Sequence, residues 1–187
     1  MSKLAQRKRR RISRGESFLR RDPLANPEPL IQRVYAYCAY RLGHGPDAED
    51  AAADVFERAV RHRASYDPRK GTPTAWLIGI ARRAVDDVVT GRLLTVEELP
   101  PQAAPERDLA LRIDLARMLE RLDVHDRELI ALRYGADLTA KQIGELLEMR
   151  THAVEMALHR ALGRLRRELE RGDRDYSPRA LRAGVAP

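Results

Sequence analysis

A single cysteine, Cys38, stands in 187 residues. It excludes an internal disulfide and leaves a thiolate zinc site without ligands. Aromatic residues make up only 5% of the chain, so a core has to be built from Leu, Ile, Val and Ala. Lysine is scarce, 4 residues against 31 arginines, which hints at a GC-rich genome. No apolar run reaches the roughly 18–20 residues that a membrane span needs. No apolar stretch follows the basic N-terminus, which argues against a secretory signal. A Gly-rich phosphate loop and a Gly-x-Ser-x-Gly elbow are both missing. The histidines are His44, His62, His125, His152 and His159, and no two stand at the i, i+4 spacing of a helical zinc pair. These absences predict a cytoplasmic chain that is not an enzyme, with no cofactor, no metal, no small-molecule substrate and no membrane association.

What the chain has is charge, 34% of its residues, with a net value of +7. Its placement matters more than its size. Residues 1–29 hold nine Lys/Arg against three Asp/Glu, a balance of +6, while the rest of the chain is near neutral. The excess therefore reads as a basic arm suited to a polyanion, or as a solubilising tail, and not as a uniformly basic DNA-binder.

Periodicity divides the chain into two helical blocks. Residues 1–28 read as a basic disordered arm, closed by Pro23, Pro27 and Pro29. In residues 29–90, Leu30, Val34, Tyr37, Cys38 and Leu42 recur at helical spacing until Gly43. A second helix is expected from Asp47 to about Arg63, with Ala48, Ala51, Ala52, Val55, Phe56 and Ala59 inward. Thr72 and Pro73 open a third, with Trp76, Leu77, Ile80, Ala81, Ala84 and Val88 buried and Gly91 as its stop. Residues 91–106 lose the period and hold Pro100, Pro101 and Pro105, the composition of a semi-rigid linker. The second block, residues 107–171, starts with Leu111, Leu115, Met118, Leu119 and Leu122 on one face. Asp123 caps a helix running to Tyr134. Residues 172–187 read as a polar tail. The fold class expected is all-α, two small helical domains joined by a Pro-rich linker. Each block has only about 60 residues, which makes a core marginal alone and predicts packing of one block on the other or on a partner.

The densest local signal lies at Thr139-Ala140-Lys141-Gln142, a capping box that opens a short helix to Leu147. A three-residue break, Glu148-Met149-Arg150, leads to a long helix from Thr151. Ile143, Leu147, Met149 and Val154 sit where two steeply crossed helices pack, and Gly144 is small where they approach. That spacing fits a helix-turn-helix, whose second helix enters the major groove. An ordinary helical hairpin is the alternative. The carboxylates Asp47, Glu49, Asp50 and Asp54 read as a solvated or partner-facing helix face rather than a metal cluster. Cys38 reads as a buried structural residue, with a redox sensor as the alternative.

From Pro29 to Glu170 the chain resembles an extracytoplasmic-function sigma factor of bacterial RNA polymerase, in the sigma-70 family. Three stretches carry the resemblance. Asp47-Ala48-Glu49-Asp50 with Asp54-Val55-Phe56-Glu57-Arg58-Ala59 is similar to the family's DAED helix. Thr74 to Arg83, with Asp87 beyond, is similar to its AWL-x-x-IARN helix. Asp126 to Tyr134, leading into Thr139–Arg166, is similar to its R-x-V-x-x-L-R-Y segment and helix-turn-helix. The resemblance implies that the first block is domain two, which holds core RNA polymerase through Asp50, Asp54, Glu57 and Arg58. It implies −10 DNA contacts from Arg69, Lys70, Thr74, Arg82, Arg83 and Asp87. The second block would be domain four, reading the −35 element through Arg150, Thr151, His152, Glu155, Met156, His159 and Arg160. Glu97 and Glu98 of the linker would mimic nucleic-acid charge inside the polymerase. Partners implied are core RNA polymerase, at the clamp of its largest subunits, promoter DNA, and an anti-sigma factor.

The chain also departs from the family pattern. Ala53 replaces a glutamine, Arg83 an asparagine and Glu148 the turn glycine. Val88-Val89-Thr90-Gly91 stands where a basic run is usual. Ala153-Val154-Glu155-Met156-Ala157 stands where a Thr-Val-Lys-Ser-Arg-like stretch is usual. Two further readings follow from these features: a helix-turn-helix regulator that works without polymerase, and a sigma-like polymerase-interaction protein that lacks normal −35 reading. The first block discriminates against the former, which has no need of the DAED and AWL helices.

Overall fold

A computed structural model of the chain describes residues 22–94 and 118–175. The expected arm to Arg21, the linker from Thr95 with Glu97 and Glu98, the onset of the second block through Arg117, and the tail from Tyr176 lie outside the described residues. Among those described, every regular element is helical.

Three helices make the first block: α1 (Pro27–Leu42), α2 (Pro46–His62) and α3 (Pro73–Leu94). Proline opens each, at positions where the missing N–H would have had no partner. The start of α1 is Pro27 rather than Pro29, because proline costs nothing in a first turn. Gly43, at φ +87°, ends α1 and donates its N–H back to the Ala39 carbonyl at 3.0 Å. The buried face of α2 is Ala48, Ala51, Ala52, Val55 and Ala59. Four alanines among those five keep the side-chain layer thin, so α2 lies close on both α1 and α3. Thr72 caps α3 by accepting from the Ala75 N–H at 3.2 Å. Gly91 does not stop α3, which runs on to Leu94. A lone glycine costs a helix about 1 kcal/mol and does not by itself end it.

The second block holds α4 (Val124–Ile130), α5 (Ala140–Leu147) and α6 (Thr151–Asp175). Asp123 caps α4, accepting from the Asp126 N–H at 2.8 Å. The expected single helix to Tyr134 changes character at Ala131, where a wider π-helical turn, Ala131–Gly135, takes over. The Ala136 N–H there reaches the Ala131 carbonyl, at 2.9 Å. The turn sets Gly135 against α1, where a Cβ would lie 3.0 Å from both Cα and N of Tyr37. The capping box at Thr139 and Gln142 forms, with the Thr139 hydroxyl accepting from the Gln142 N–H at 3.2 Å. The helix-turn-helix break is as expected. Glu148 takes the left-handed conformation, φ +56°, and Gly144 lets the chain double back. A Cβ on Gly144 would stand 2.6 Å from the Met149 carbonyl oxygen.

One core runs through both blocks. Leu30, Val34, Tyr37, Leu77, Ile78 and Val85 of the first share a buried cluster with Leu129, Leu132, Leu138, Ile143 and Val154 of the second. Leu119, Leu122, Ile130 and Ala161 form a smaller cluster beside it. The mutual packing expected from two marginal cores is therefore present, and α1 is its centre, touching α2, α3, α4 and the π turn. The buried stripe of α3 is shifted from the expected one. Leu77, Ile78, Ala81, Ala84 and Val85 are buried, whereas Trp76, Ile80 and Val88 are partly covered. The shift follows from α3 packing on three helices, α1, α2 and α5, rather than one.

Two substitutions four residues apart should act in opposite directions. Gly144→Val forces a side chain onto backbone and should cost about 1–3 kcal/mol. Glu148→Gly relieves a left-handed residue and should add up to about 1 kcal/mol. Urea denaturation of both variants beside the parent checks the two signs. Cys38 is fully buried, and desolvation pushes its thiol up to about 12. The neutral thiol is then favoured in the fold, a contribution present below the ordinary value of 9.0 and lost as pH rises through about 12. A thiol-specific disulfide reagent at pH 8 should label Cys38 only after denaturant is added.

Candidate polymerase and nucleic-acid interface

The outer face of α2 carries the residues expected to meet polymerase. Asp50 and Glu57 are exposed, and Asp54 and Arg58 are half-buried. Arg58 bridges two helices, at 2.7 Å from Asp54 and 3.0 Å from Asp87 of α3. Hydrogen bonds that Arg58 donates to these two carboxylates raise its pKa. Glu57 pairs with Arg61 one turn on. A three-charge cluster, Asp54–Arg58–Asp87, and a separate Glu57–Arg61 pair thus flank the exposed Val60 and the partly buried Phe56.

Beyond α2 the chain turns through Arg63–Ser65 into the loop that carries Arg69 and Lys70, both exposed. The Tyr66 hydroxyl donates to the Gly71 carbonyl at 3.1 Å and closes the loop on itself. The Tyr66 ring lies 5.6 Å from the Trp76 ring. Trp76, Arg58, His62, Ile80, Arg83 and Leu146 line a groove of about 570 Å³. Two guanidinium groups around an aromatic wall suit an unstacked base and its phosphate. The roof of the groove comes from the second block, since Leu146 stands 3.8 Å from where a Cβ on Gly79 would be.

The expected −10 residues divide into two groups. Arg69, Lys70, Arg83 and Asp87 are exposed. Thr74 and Arg82 are engaged by neighbouring side chains. Thr74 is buried, its hydroxyl accepting from Arg33 of α1 at 3.3 Å. Arg82 donates to Glu128 of α4 at 2.6 Å and to the Leu146 carbonyl at 3.4 Å.

Sequence reasoning did not find the residues that join the blocks. Arg41, its side chain 4% exposed, lies between Asp86 at 3.5 Å and Glu128 at 3.6 Å and donates to the Val124 carbonyl at 3.1 Å. Glu128 therefore faces two arginines of the first block, Arg41 and Arg82. Arg33 reaches Asp137 at 2.9 Å, and Gln142 donates to Thr72 at 3.5 Å. The one available signal was Arg41 itself, a charge on the apolar side of its helix next to Leu42. Nothing in the spacing pointed to a partner 87 positions away.

On α6 the expected −35 residues Thr151, His152, Glu155, Met156, His159 and Arg160 share one exposed face, with exposed Arg150 just before the helix, while Val154, Ala157, Leu158 and Ala161 are buried against the rest of the block. Lower on α6, Arg164 grips the buried Asp126 in a two-pronged pair, with one arm at 2.6 Å. Arg127 donates to the carbonyls of Leu119, Glu120 and Leu122 at 2.8, 2.6 and 3.3 Å, tying the approach to α4. The Arg164–Asp126 pair ties α6 to α4. Among the described residues, no cluster of His, Cys, Asp or Glu fits a metal ion, and no helix is long and apolar enough to cross a membrane.

Two family models match these two blocks: Sigma-70 region 2 over residues 28–92, and Sigma-70, region 4 over residues 112–165. The extracytoplasmic-function (ECF) RNA polymerase sigma factor ShbA of Streptomyces griseus is 31% identical over 175 residues, covering 83% of this chain and 90% of that protein. The ECF sigma factor SigD of Mycobacterium tuberculosis is 30% identical over 171 residues, covering 83% of this chain and 79% of that one. Among solved structures, the sigma factor RpoE in complex with the anti-sigma factor NepR from Bartonella quintana superposes with a TM-score of 0.62. It has 19% identity and covers 75% of this chain and 92% of that one, a likeness of fold. CnrH in complex with the cytosolic domain of CnrY gives a TM-score of 0.56 at 23% identity, over 79% and 84% of the two chains. The chain belongs to the sigma-70 family, in its ECF group. It directs core RNA polymerase to promoter DNA.

Charge pairs of different burial should separate in cost. Glu128→Ala leaves Arg41 short of a partner in a dry setting and should lower stability by about 3 kcal/mol. Arg33→Ala removes a pair whose side chains are 40% and 64% exposed. It should cost under about 1 kcal/mol. Chemical denaturation of the two variants ranks them, and equal losses would refute the ordering.

Proposed function

We propose a division of labour along the chain: residues 29–90 hold core polymerase and meet the −10 element, and residues 107–171 read the −35 element. Asp50, Asp54, Glu57 and Arg58 form the polymerase contact, where an acidic helix face around an apolar anchor complements a basic clamp. Arg69, Lys70, Thr74, Arg82, Arg83 and Asp87 serve the −10 strand. The observation that carries the reading is the free face of α6, seven exposed side chains from Thr151 to Arg160 on a helix whose other face is buried in a helix-turn-helix. The chain acts as a cytoplasmic initiation subunit with no reaction of its own.

Glu128 and Leu146 of the second block cover Arg82 and the Trp76 groove, so full −10 engagement requires the two blocks to part. Core polymerase and promoter supply the differential binding that favours the parted state. An anti-sigma partner, as in the RpoE–NepR and CnrH–CnrY complexes, would act by favouring a form that cannot reach DNA.

Transcription from fragmented genomic DNA with core polymerase, with and without the chain, tests this reading by mapping RNA 5′ ends. Discrete new starts sharing −10 and −35 words support it, and no binding to core at all would sink it. The arm has its own test. If its +6 balance supplies sequence-independent affinity, deleting residues 2–22 should flatten the salt dependence of promoter binding. An unchanged slope makes it a solubilising tail.

A further inference from the structure

The recognition face of α6 carries an unusual set of groups for a surface that meets DNA. From Thr151 to His159 there is no Lys or Arg, so its first two and a half turns offer no cation to phosphate apart from histidine. At its centre stand a carboxylate and a thioether. The Glu155 side chain is 58% exposed, and Met156 is 43% exposed. Val154 and Ala157 on either side are buried, so Glu155 and Met156 cannot turn inward without unpacking α6 from α5. Glu155 also has a neighbour that orients it, His152 Nδ1 at 3.8 Å one turn earlier.

A carboxylate facing base edges can only accept. In the major groove guanine presents two acceptors and thymine one, so each repels it. Adenine offers an amino donor but sets its N7 acceptor beside it. Cytosine offers the N4 amino group with no adjacent acceptor on the same base. A thioether next to it makes apolar contact, for which thymine's C5 methyl is the groove's one good partner.

Resting on the assignment of α6 to the −35 element, we propose that Glu155 selects a cytosine amino group there and Met156 a neighbouring thymine methyl. Specificity is then carried by acceptor and apolar readout. Phosphate attraction falls to Arg150, Arg160 and residues beyond the groove.

The test takes a promoter whose −10 word is known from mapped starts and randomises the −35 hexamer. Holoenzyme made from core and the full chain transcribes the library, and the RNA-linked templates are sequenced. The parent chain should enrich C·G about tenfold or more at one position, the discrimination expected of one good base contact. Glu155→Gln should move that preference to adenine, which an amide meets at both N6 and N7. Glu155→Ala should abolish it there and leave the other positions unchanged. Met156→Ala should weaken thymine at the adjacent position alone. Base profiles that are identical in parent and Glu155→Gln overturn the proposal. So does −10-dependent transcription with no −35 preference in the parent, an outcome that leaves the sigma-factor assignment standing. No transcripts from any template would overturn the assignment of α6 together with the inference.

Discussion

The Glu128 carboxylate, set between Arg82 and the buried Arg41, is the contact on which the arrangement of the two blocks depends. Arg41 sits in the wall of the shared core, where an uncompensated charge would be costly. Its compensation comes from three places: Asp86 on its own block, and Glu128 and the Val124 carbonyl on the other. Because two of the three belong to α4, the second block cannot move away without rehydrating a guanidinium that the first block alone does not cover. Apolar burial holds the blocks together, and the ion network fixes how they are registered.

Most of the fold was legible because it rests on local signals. Proline at helix starts, Gly43 at a stop, the capping box at Thr139 and the small Gly144 each fix a backbone conformation within a few residues. The exposed face of α6 was legible for the same reason, since helical periodicity alone separates Glu155 from Val154. The misses have two causes. Gly91 looked like a terminator, yet one glycine costs a helix too little to end it, and α3 runs on to Leu94. The π turn at Ala131–Gly135 has no composition that announces it, being imposed where Gly135 meets the backbone of α1. Thr74 and Arg82 were legible as candidate DNA contacts. What binds them in this arrangement was not, because α1, α4 and α5 lie far away in sequence.

On the proposed reading, the face of α6 and the basic arm would meet DNA in two different ways. A near-neutral body whose reading face centres on a carboxylate would discriminate between bases and attract weakly, and attraction that is not sequence-specific would come from basic segments. Separating the two allows each to change without the other. The Arg164–Asp126 pair anchors α6 to α4.

Gly135 has a consequence for response threshold. Its bare backbone lies so close to Tyr37 that a Cβ there would stand 3.0 Å from the α1 backbone, and α1 would have to give by a few tenths of an ångström to take it. When only the parted form engages a target, apparent affinity is scaled by the fraction of molecules already parted. Each 1.4 kcal/mol of interblock adhesion therefore shifts the concentration needed for half-occupancy by about tenfold. On the proposed reading, in which the parted form engages promoters, a hydrogen atom in place of a methyl group at Gly135 is one of the contacts that would set how much of the protein a cell must make before its promoters respond.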